Sequence, residues 1–550
     1  MQLTYPFMSG AKARPLAVPS NSPDVVVPAS PAMPASRGGP AGRRNPHAPV
    51  KPGKGIFAGI ISVLLGSLAM WAPPAAALDN FRELTVRLAH PVDTDPISVR
   101  LEDGPGLLAV GRFEGATRYS LISLVDGSVV LQGDMPETVF FYDVGDPAGR
   151  GSESLSLFDE QGIAVVDPAT GSIDRVAEFS SIYHGRPSQG PTPSDFVRDV
   201  DGEAGDELLV PVFDGWLLAK RRGEEFHTYR LEIDPRVSAY AARVSYEPRR
   251  PRIGDANGDG RNDLVFLRDT AFVSFVQEAD GSFASVGRRD PIDAPLASEE
   301  DRARWERDDG QVDQSELQIE EVELIRDFDG DGILDLLTDR SISEGVFDRS
   351  SEYHLYLGRR NGGSLEYPRV PDGSIASGGI QFDPLAVDVD GDGRLDLATP
   401  STQLGLGRVI SALVTGRITV DLDVYRMRAN GVYREESDYQ TRFKVEFDLT
   451  TGQMRYPAIK IADFDGDGPA DLLLQGDDDV LELYPGTGDD NLFGKQQLQS
   501  LELPLPSNGQ MVEARDLDDD GRADLLVRYG LADGPKRQGE LRIFLSAIEG

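Results

Sequence analysis

One ten-residue pattern constrains this chain more than any other: Asp388-Val-Asp390-Gly-Asp392-Gly-Arg394-Leu-Asp396-Leu397. Acidic side chains stand at loop positions 1, 3, 5 and 9, and Gly393 stands at position 6. Carboxylates on alternate residues of a tight turn converge, and a hard cation such as Ca²⁺ takes six to eight oxygens at about 2.3–2.6 Å. Position 7, Arg394, offers its backbone carbonyl, and the glycine permits the positive φ that closes the turn. Without a cation, four gathered carboxylates would repel one another.

The pattern recurs. It reads Asp255-Ala-Asn257-Gly-Asp259-Gly-Arg261-Asn-Asp263, then Asp327-Phe-Asp329-Gly-Asp331-Gly-Ile333-Leu-Asp335. Beyond the 388 copy come Asp463-Phe-Asp465-Gly-Asp467-Gly-Pro469-Ala-Asp471 and Asp516-Leu-Asp518-Asp-Asp520-Gly-Arg522-Ala-Asp524. Pro469 fits position 7, which gives a carbonyl and no N–H. A weaker copy has Asp199, Asp201, Glu203 and Glu207 as its acids, but Ala204 stands where glycine belongs, so a weak or distorted site is expected. The stretch Asp143–Glu153 has the flanks without the ligands and reads as a degenerate loop with no ion. Together these predict about five or six Ca²⁺ ions as the only cofactor.

The loops start at 143, 199, 255, 327, 388, 463 and 516, at intervals of 53 to 75 residues. That is the size of one propeller blade. Each loop runs into a short apolar segment such as Leu264–Leu267, Leu472–Leu474 or Leu525–Val527, and then an alternating strand such as Val480–Tyr484 or Glu540–Leu545. Four short strands per unit, with the loop between the first two, predict an all-β chain folded as a propeller of four-stranded blades. An EF-hand is excluded, because position 12 holds Phe266, Thr338, Thr399, Leu474 and Val527 in place of a bidentate Glu.

Blade count follows from closure. The last unit stops after three strands, and Glu83–Leu88 is the candidate for the fourth. Residues 97–132 hold four more strand-like runs, which gives eight blades; if this region donates only the closing strand, there are seven. Two long intervals, 289–318 and 404–456, read as insertions, the second as a protruding hairpin built on Arg417–Val424 and Phe443–Phe447.

Over roughly residues 138–550 the chain resembles the FG-GAP/VCBS repeat propellers, related to the integrin α-subunit headpiece. The resemblance implies that each loop holds Ca²⁺ through positions 1, 3, 5, 7 and 9. The Phe-Gly…Gly-Ala-Pro element is poorly kept, which places the chain nearer to bacterial VCBS-type proteins than to integrins. The chain has no Arg-Gly-Asp motif, so integrin-like adhesion does not carry over.

Residues 1–50 are rich in Pro, Ala, Ser and Gly and are expected to be disordered. Residues 51–77 read as a signal peptide: Lys51 and Lys54, an apolar run from Ile56 to Trp71, and Ala75-Ala-Ala77 before Leu78. A true translation start near Val50 would place that signal at the N-terminus. Residues 78–550 then form one propeller in the periplasm or outside a bacterial cell.

Net charge is −37, which disfavours nucleic acid and anionic lipid as partners. With no cysteine there are no disulfides, thiolate metal sites or cysteine nucleophiles. His47, His90, His184, His227 and His354 show no metal-ligand spacing, and no nucleophile elbow, P-loop or dinucleotide fingerprint occurs. The expected function is therefore an exported, monomeric, calcium-binding scaffold for a protein or glycan ligand, and not an enzyme. The alternatives are a polysaccharide hydrolase or lyase, or a lectin, on the same propeller.

Overall fold

The computed structural model describes residues 80–547, apart from 186, 188–189, 224, 241–242, 303–317, 344–348, 379, 403–414, 448–453 and 477–478. The expected disordered extension and signal peptide lie outside the described residues, as does much of 289–318. No helix among the described residues is long and apolar enough to cross a membrane.

The described strands form eight blades, so eight is the count. Blade 1 is Ile97–Leu101, Gly104–Phe113, Ala116–Ser123 and Val129–Asp134. Blade 2 is Phe141–Gly145, Ser154–Asp159, Gly162–Val166 and Ile173–Glu178. Blade 3 is Val197–Arg198, Glu207–Val212, Gly215–Arg222 and Glu225–Glu232. Blade 4 is Pro251–Gly254, Asp263–Arg268, Ala271–Phe275 and Arg288–Pro291. Blade 5 is Gln318–Arg326, Asp335–Ser343, Arg349–Tyr356 and Gly373–Gly378. Blade 6 is Leu385–Val387, Asp396–Thr402, Arg417–Tyr425 and Tyr439–Phe447. Blade 7 is Ile459–Ala462, Asp471–Gln475, Val480–Tyr484 and Gln499–Glu502. Blade 8 is Val512–Arg515, Asp524–Arg528 and Glu540–Ala547, completed by Asn80–Arg87.

That last strand pairs antiparallel with Glu540–Ala547 over its whole length, from Asn80 opposite Ala547 to Arg87 opposite Glu540. The N-terminal strand thus closes the ring and removes its one open edge. The expectation for 404–456 is corrected. Arg417–Tyr425 and Tyr439–Phe447 are the third and fourth strands of blade 6 and pair in sequence order behind Asp396–Thr402. The interval reads as an insertion because blade 6 reaches its third strand only after a long connection, whereas blades 1 to 4 turn within a few residues.

The apolar run after each loop has a packing reason. Side chains of a strand alternate between its two faces, and here each face meets a different neighbouring blade. Leu264 and Phe266 pack toward blade 3, while Val265 packs toward blade 5. Leu472 packs toward blade 6 and Leu473 toward blade 8. A second strand buried on both faces must be continuously apolar. Eight hydrophobic clusters result, one at each junction between consecutive blades, including the junction of blades 8 and 1. Burying a residue such as Leu473 contributes roughly 1.5–3 kcal/mol.

Candidate metal centres

Each acidic loop joins the first strand of a blade to the second. The turn is built by the position 1 carboxylate, which collects backbone N–H groups from further along the loop. Asp327 accepts from Gly330 at 2.8 Å, Asp331 at 3.1 Å and Gly332 at 2.8 Å. Asp388 accepts from Gly391, Asp392 and Gly393 in the same way, and Asp255 from Gly258, Asp259 and Gly260. Wrapping the chain so tightly needs left-handed residues at positions 4 and 6. Gly330 and Gly332 take φ of 78° and 80°, a conformation glycine adopts without steric cost.

Position 9 is a buried staple. Asp335 is fully buried and accepts from Phe328 N at 2.7 Å and from Gly358 N at 2.7 Å. It thereby ties the loop to the chain leaving the third strand. Asp263, Asp396, Asp471 and Asp524 make the same pair of bonds, the last to Leu517 and Ser546. Burial first, and then the neighbouring carboxylates, push Asp335, Asp396, Asp471 and Asp524 up to about 7 despite those bonds. Glu207 of blade 3 is likewise pushed up to about 7 by burial.

Positions 1, 3 and 9 converge. Carboxylate oxygens of Asp327/Asp329/Asp335, Asp388/Asp390/Asp396, Asp463/Asp465/Asp471, Asp516/Asp518/Asp524 and Asp199/Asp201/Glu207 lie within 4.8 Å of one another in each set. The copy expected to be weak is therefore one of the five triads. In blade 4 the amide of Asn257 stands at position 3, where its Oδ1 accepts from Asp259 N at 2.8 Å, so a neutral oxygen replaces the carboxylate there.

Position 5 does something else. Asp331 Oδ1 accepts from Ile333 N at 2.8 Å, and Asp259, Asp392 and Asp520 accept from the N–H of Arg261, Arg394 and Arg522 at 2.9–3.0 Å. Their second oxygens pair with the guanidinium of those same arginines. Without an ion, position 5 thus turns toward position 7 and braces the loop. In blade 7 Pro469 has no N–H to give, and Asp467 instead shares a hydrogen bond with Asp465. Burial and the Asp465 charge push Asp467 up to about 6.

Two loops depart from the pattern. In blade 3 Ala204 cannot take the left-handed turn at position 6, and Gly205 at position 7 takes it with φ of 96°. In blade 2 the turn starts at Asp146 rather than Asp143. Asp143 lies in the first strand, where its carboxylate accepts from Phe196 and Val197 of blade 3. Asp146 accepts from Arg150 and Gly151 in the usual pattern, but Arg150 and Ser154 stand where positions 5 and 9 are acidic elsewhere.

The donor set is all oxygen, which suits Ca²⁺ or Mg²⁺ and not a soft metal. The fit has an independent sign. Asp390 Oδ1, Asp465 Oδ2 and Asp518 Oδ1 are buried position 3 oxygens with no hydrogen-bond partner, and such an atom costs free energy unless something satisfies it. The loops also stitch the ring. Leu395 N donates to Phe328 O at 2.8 Å, Ala470 N to Val389 O at 3.0 Å, and Ala523 N to Asp463 O at 2.6 Å. Each bond crosses from one blade to the next.

A different chemistry gathers near the axis, where the first strands of neighbouring blades meet. Arg198, Arg252 and Arg326 stand on the first strands of blades 3, 4 and 5, with Arg250 just before the second of these. Burial, and then Arg250, Arg198 and Arg326, hold Arg252 down to about 10, with Asp195 opposing. Sequence reading missed this set, because the arginines are spread over 198–326 and only the ring brings them together.

Residues 327–399 and 463–527 match the FG-GAP-like repeat family. The chain carries FG-GAP-like repeats on an eight-bladed β-propeller. No curated protein matches it. Similar solved structures include an Agrocybe aegerita lectin described as recognising non-reducing terminal N-acetylglucosamine, at 16% identity and TM-score 0.37, covering 76% of this chain and 94% of that one. Another is the WD40 domain of SCAP from fission yeast, at 11% identity and TM-score 0.33, covering 85% and 98%.

Proposed function

We propose that this FG-GAP-repeat propeller is exported and calcium-stabilised, and that it serves as a binding scaffold rather than an enzyme. The observation that carries the reading is the pair of buried, unpartnered position 3 oxygens at Asp465 and Asp518, each inside a carboxylate triad. Asp327, Asp329 and Asp335, with their counterparts in the blade 7 and blade 8 loops, would hold the ion. When bound, the ion neutralises charge and supplies the partner those oxygens lack. The loop residues are already committed to closing the turn and joining blades, so substrate chemistry has little room there. Sites of this kind outside cells bind with Kd of roughly 10⁻⁴–10⁻³ M. The ligand surface lies away from the loops. The arginine group of blades 3 to 5 marks a place where an anionic protein or glycan would be favoured on an otherwise acidic body. The test is cell fractionation joined to capture of partners in calcium. The protein should be found outside the cytoplasm, cleaved near Leu78, and should retain a partner that Arg252→Ser releases. A cytoplasmic protein with an intact leader contradicts the export reading.

One observation favours an enzyme. Glu323 in the first strand of blade 5 keeps an exposed side chain, yet crowding by the atoms around it, and then Asp383, Asp339 and Glu321, push it up to about 7, the kind of acid a polysaccharide hydrolase or lyase uses. Cleavage of an acidic or neutral glycan that Glu323→Gln abolishes would establish that reading in place of the scaffold.

A further inference from the structure

The acidic loops are not equivalent, and the difference lies on the third strand of each blade. Strand register sets one third-strand residue opposite position 9. In blade 4 this residue is Val276, one step past the pairing of Leu264 with Phe275. In blades 5, 7 and 8 it is Leu357, Pro485 and Leu545. In blade 3 it is Lys220, one step past Ala219 opposite Leu208. In blade 6 it is Arg426, one step past Tyr425 opposite Leu397. Four loops thus face an uncharged residue, and two face a cation.

Both cations reach the position 3 carboxylate. The Lys220 ammonium pairs with Asp201 Oδ2, and the two side chains are 15% and 1% exposed. The Arg426 guanidinium lies 3.5 Å from Asp390 Oδ2, and these side chains are 6% and 12% exposed. Arg426 is fixed there by Asp489 O at 3.1 Å, Asp490 Oδ1 at 2.7 Å and Asp438 at 3.6 Å. Among the described residues no lysine or arginine pairs with Asp329, Asp465 or Asp518, the position 3 carboxylates of blades 5, 7 and 8; Arg522 pairs with Asp520 and acts on Asp518 only through its charge.

We infer that Lys220 and Arg426 are built-in replacements for the metal in blades 3 and 6, so that these two loops hold their turns without an ion. The inference rests on the reading that the remaining loops take calcium. An ammonium or guanidinium beside position 3 supplies positive charge and N–H donors where a divalent ion would otherwise bring charge and a coordination shell. An ion entering the same site would meet direct repulsion and would have to displace a side chain already paired. Blade 3 shows a matching relaxation of the loop itself. With charge supplied from the third strand, Ala204 at position 6 and the displaced left-handed residue at Gly205 are tolerated. Blade 7 is the opposite case. Pro469 removes an N–H, Arg522 lays its stem on Gly466 but pairs with Asp520, no basic side chain pairs with the loop carboxylates among the described residues, and Asp463, Asp465, Asp467 and Asp471 are left to an ion.

The test counts calcium bound per chain at saturation by flow dialysis on the full protein and on single variants. Asp465→Asn should lose one ion, while Asp201→Asn and Asp390→Asn should lose none. Lys220→Met and Arg426→Met should each gain one ion. Where a methionine variant does not fold, the asparagine counts decide the same question for that blade. Loss of an ion from Asp201→Asn or Asp390→Asn, or no gain in a folded methionine variant, overturns the inference for that blade and leaves the calcium reading standing. No bound calcium in any of the proteins overturns both.

Discussion

The loops of blades 7 and 3 close comparable turns with different means. In blade 7 Asp463 gathers Gly466 N at 2.7 Å and Gly468 N at 3.0 Å, and Asp471 staples Phe464 and Gly486. In blade 3 Asp199 gathers Gly202 N at 2.7 Å, Glu207 takes Val200 N at 2.8 Å, and Lys220 sits on Asp201. One loop concentrates negative charge and the other cancels it internally. The backbone turn is thus separable from the electrostatics, and a repeat can keep its shape while changing what it asks of its surroundings.

The largest effect should come from the staples. Asp471→Ala strands two buried N–H groups and should cost about 3–5 kcal/mol in denaturant unfolding, with calcium or without it. Glu207→Ala strands one and should cost about 1–3 kcal/mol. Equal costs would remove the distinction between the two loops.

Next come the position 3 carboxylates, where the sign itself differs. In chelator, Asp465→Asn relieves repulsion among carboxylates and should raise stability by about 1 kcal/mol. Asp201→Asn leaves the partly buried Lys220 without its carboxylate and should lower stability by about 1–2 kcal/mol. Chemical denaturation of the two variants in EDTA reads both, and a shared sign would break the comparison.

A smaller effect is expected with pH. Asp471 and Asp467 are raised to about 7 and about 6 in the fold, above their ordinary carboxylate range. The proton-bound fold is therefore favoured, and the stability this gives is present below about pH 4 and lost as pH rises through 6 and 7. In chelator the melting midpoint should fall between pH 5 and 8, and the fall should shrink in Asp471→Asn. With calcium the trend should weaken or reverse, because the ion binds only the deprotonated groups. An identical pH trend with and without calcium contradicts the assignment of these groups to an ion site.

Much of this was legible in the sequence, because the loop is a local object. Nine residues carry the position 1 turn, the position 9 staple and the triad, and their spacing announced both the blades and the convergent carboxylates. The closing strand was legible too, since a last unit of three strands requires a fourth from elsewhere. What stayed hidden depended on partners distant in sequence. Lys220 lies 13 residues after Glu207 and Arg426 lies 30 after Asp396, so no fixed spacing points to them, and only strand register shows that they hold one structural position. Alternation places the position 5 carboxylates with positions 1 and 3, but their bond to the position 7 N–H is a backbone property that spacing does not show. Blade 2 was read three residues early because Asp143 resembles a loop acid, although strand pairing buries it.

The central claim is that calcium in these loops holds the scaffold. Thermal unfolding in EDTA and in millimolar calcium at matched ionic strength tests it most directly. At calcium ten to a hundred times Kd, each occupied site adds about 1.4–2.7 kcal/mol, so the midpoint should rise by several degrees with calcium and the rise should be smaller in Asp465→Asn. The same midpoint in both conditions would contradict the account.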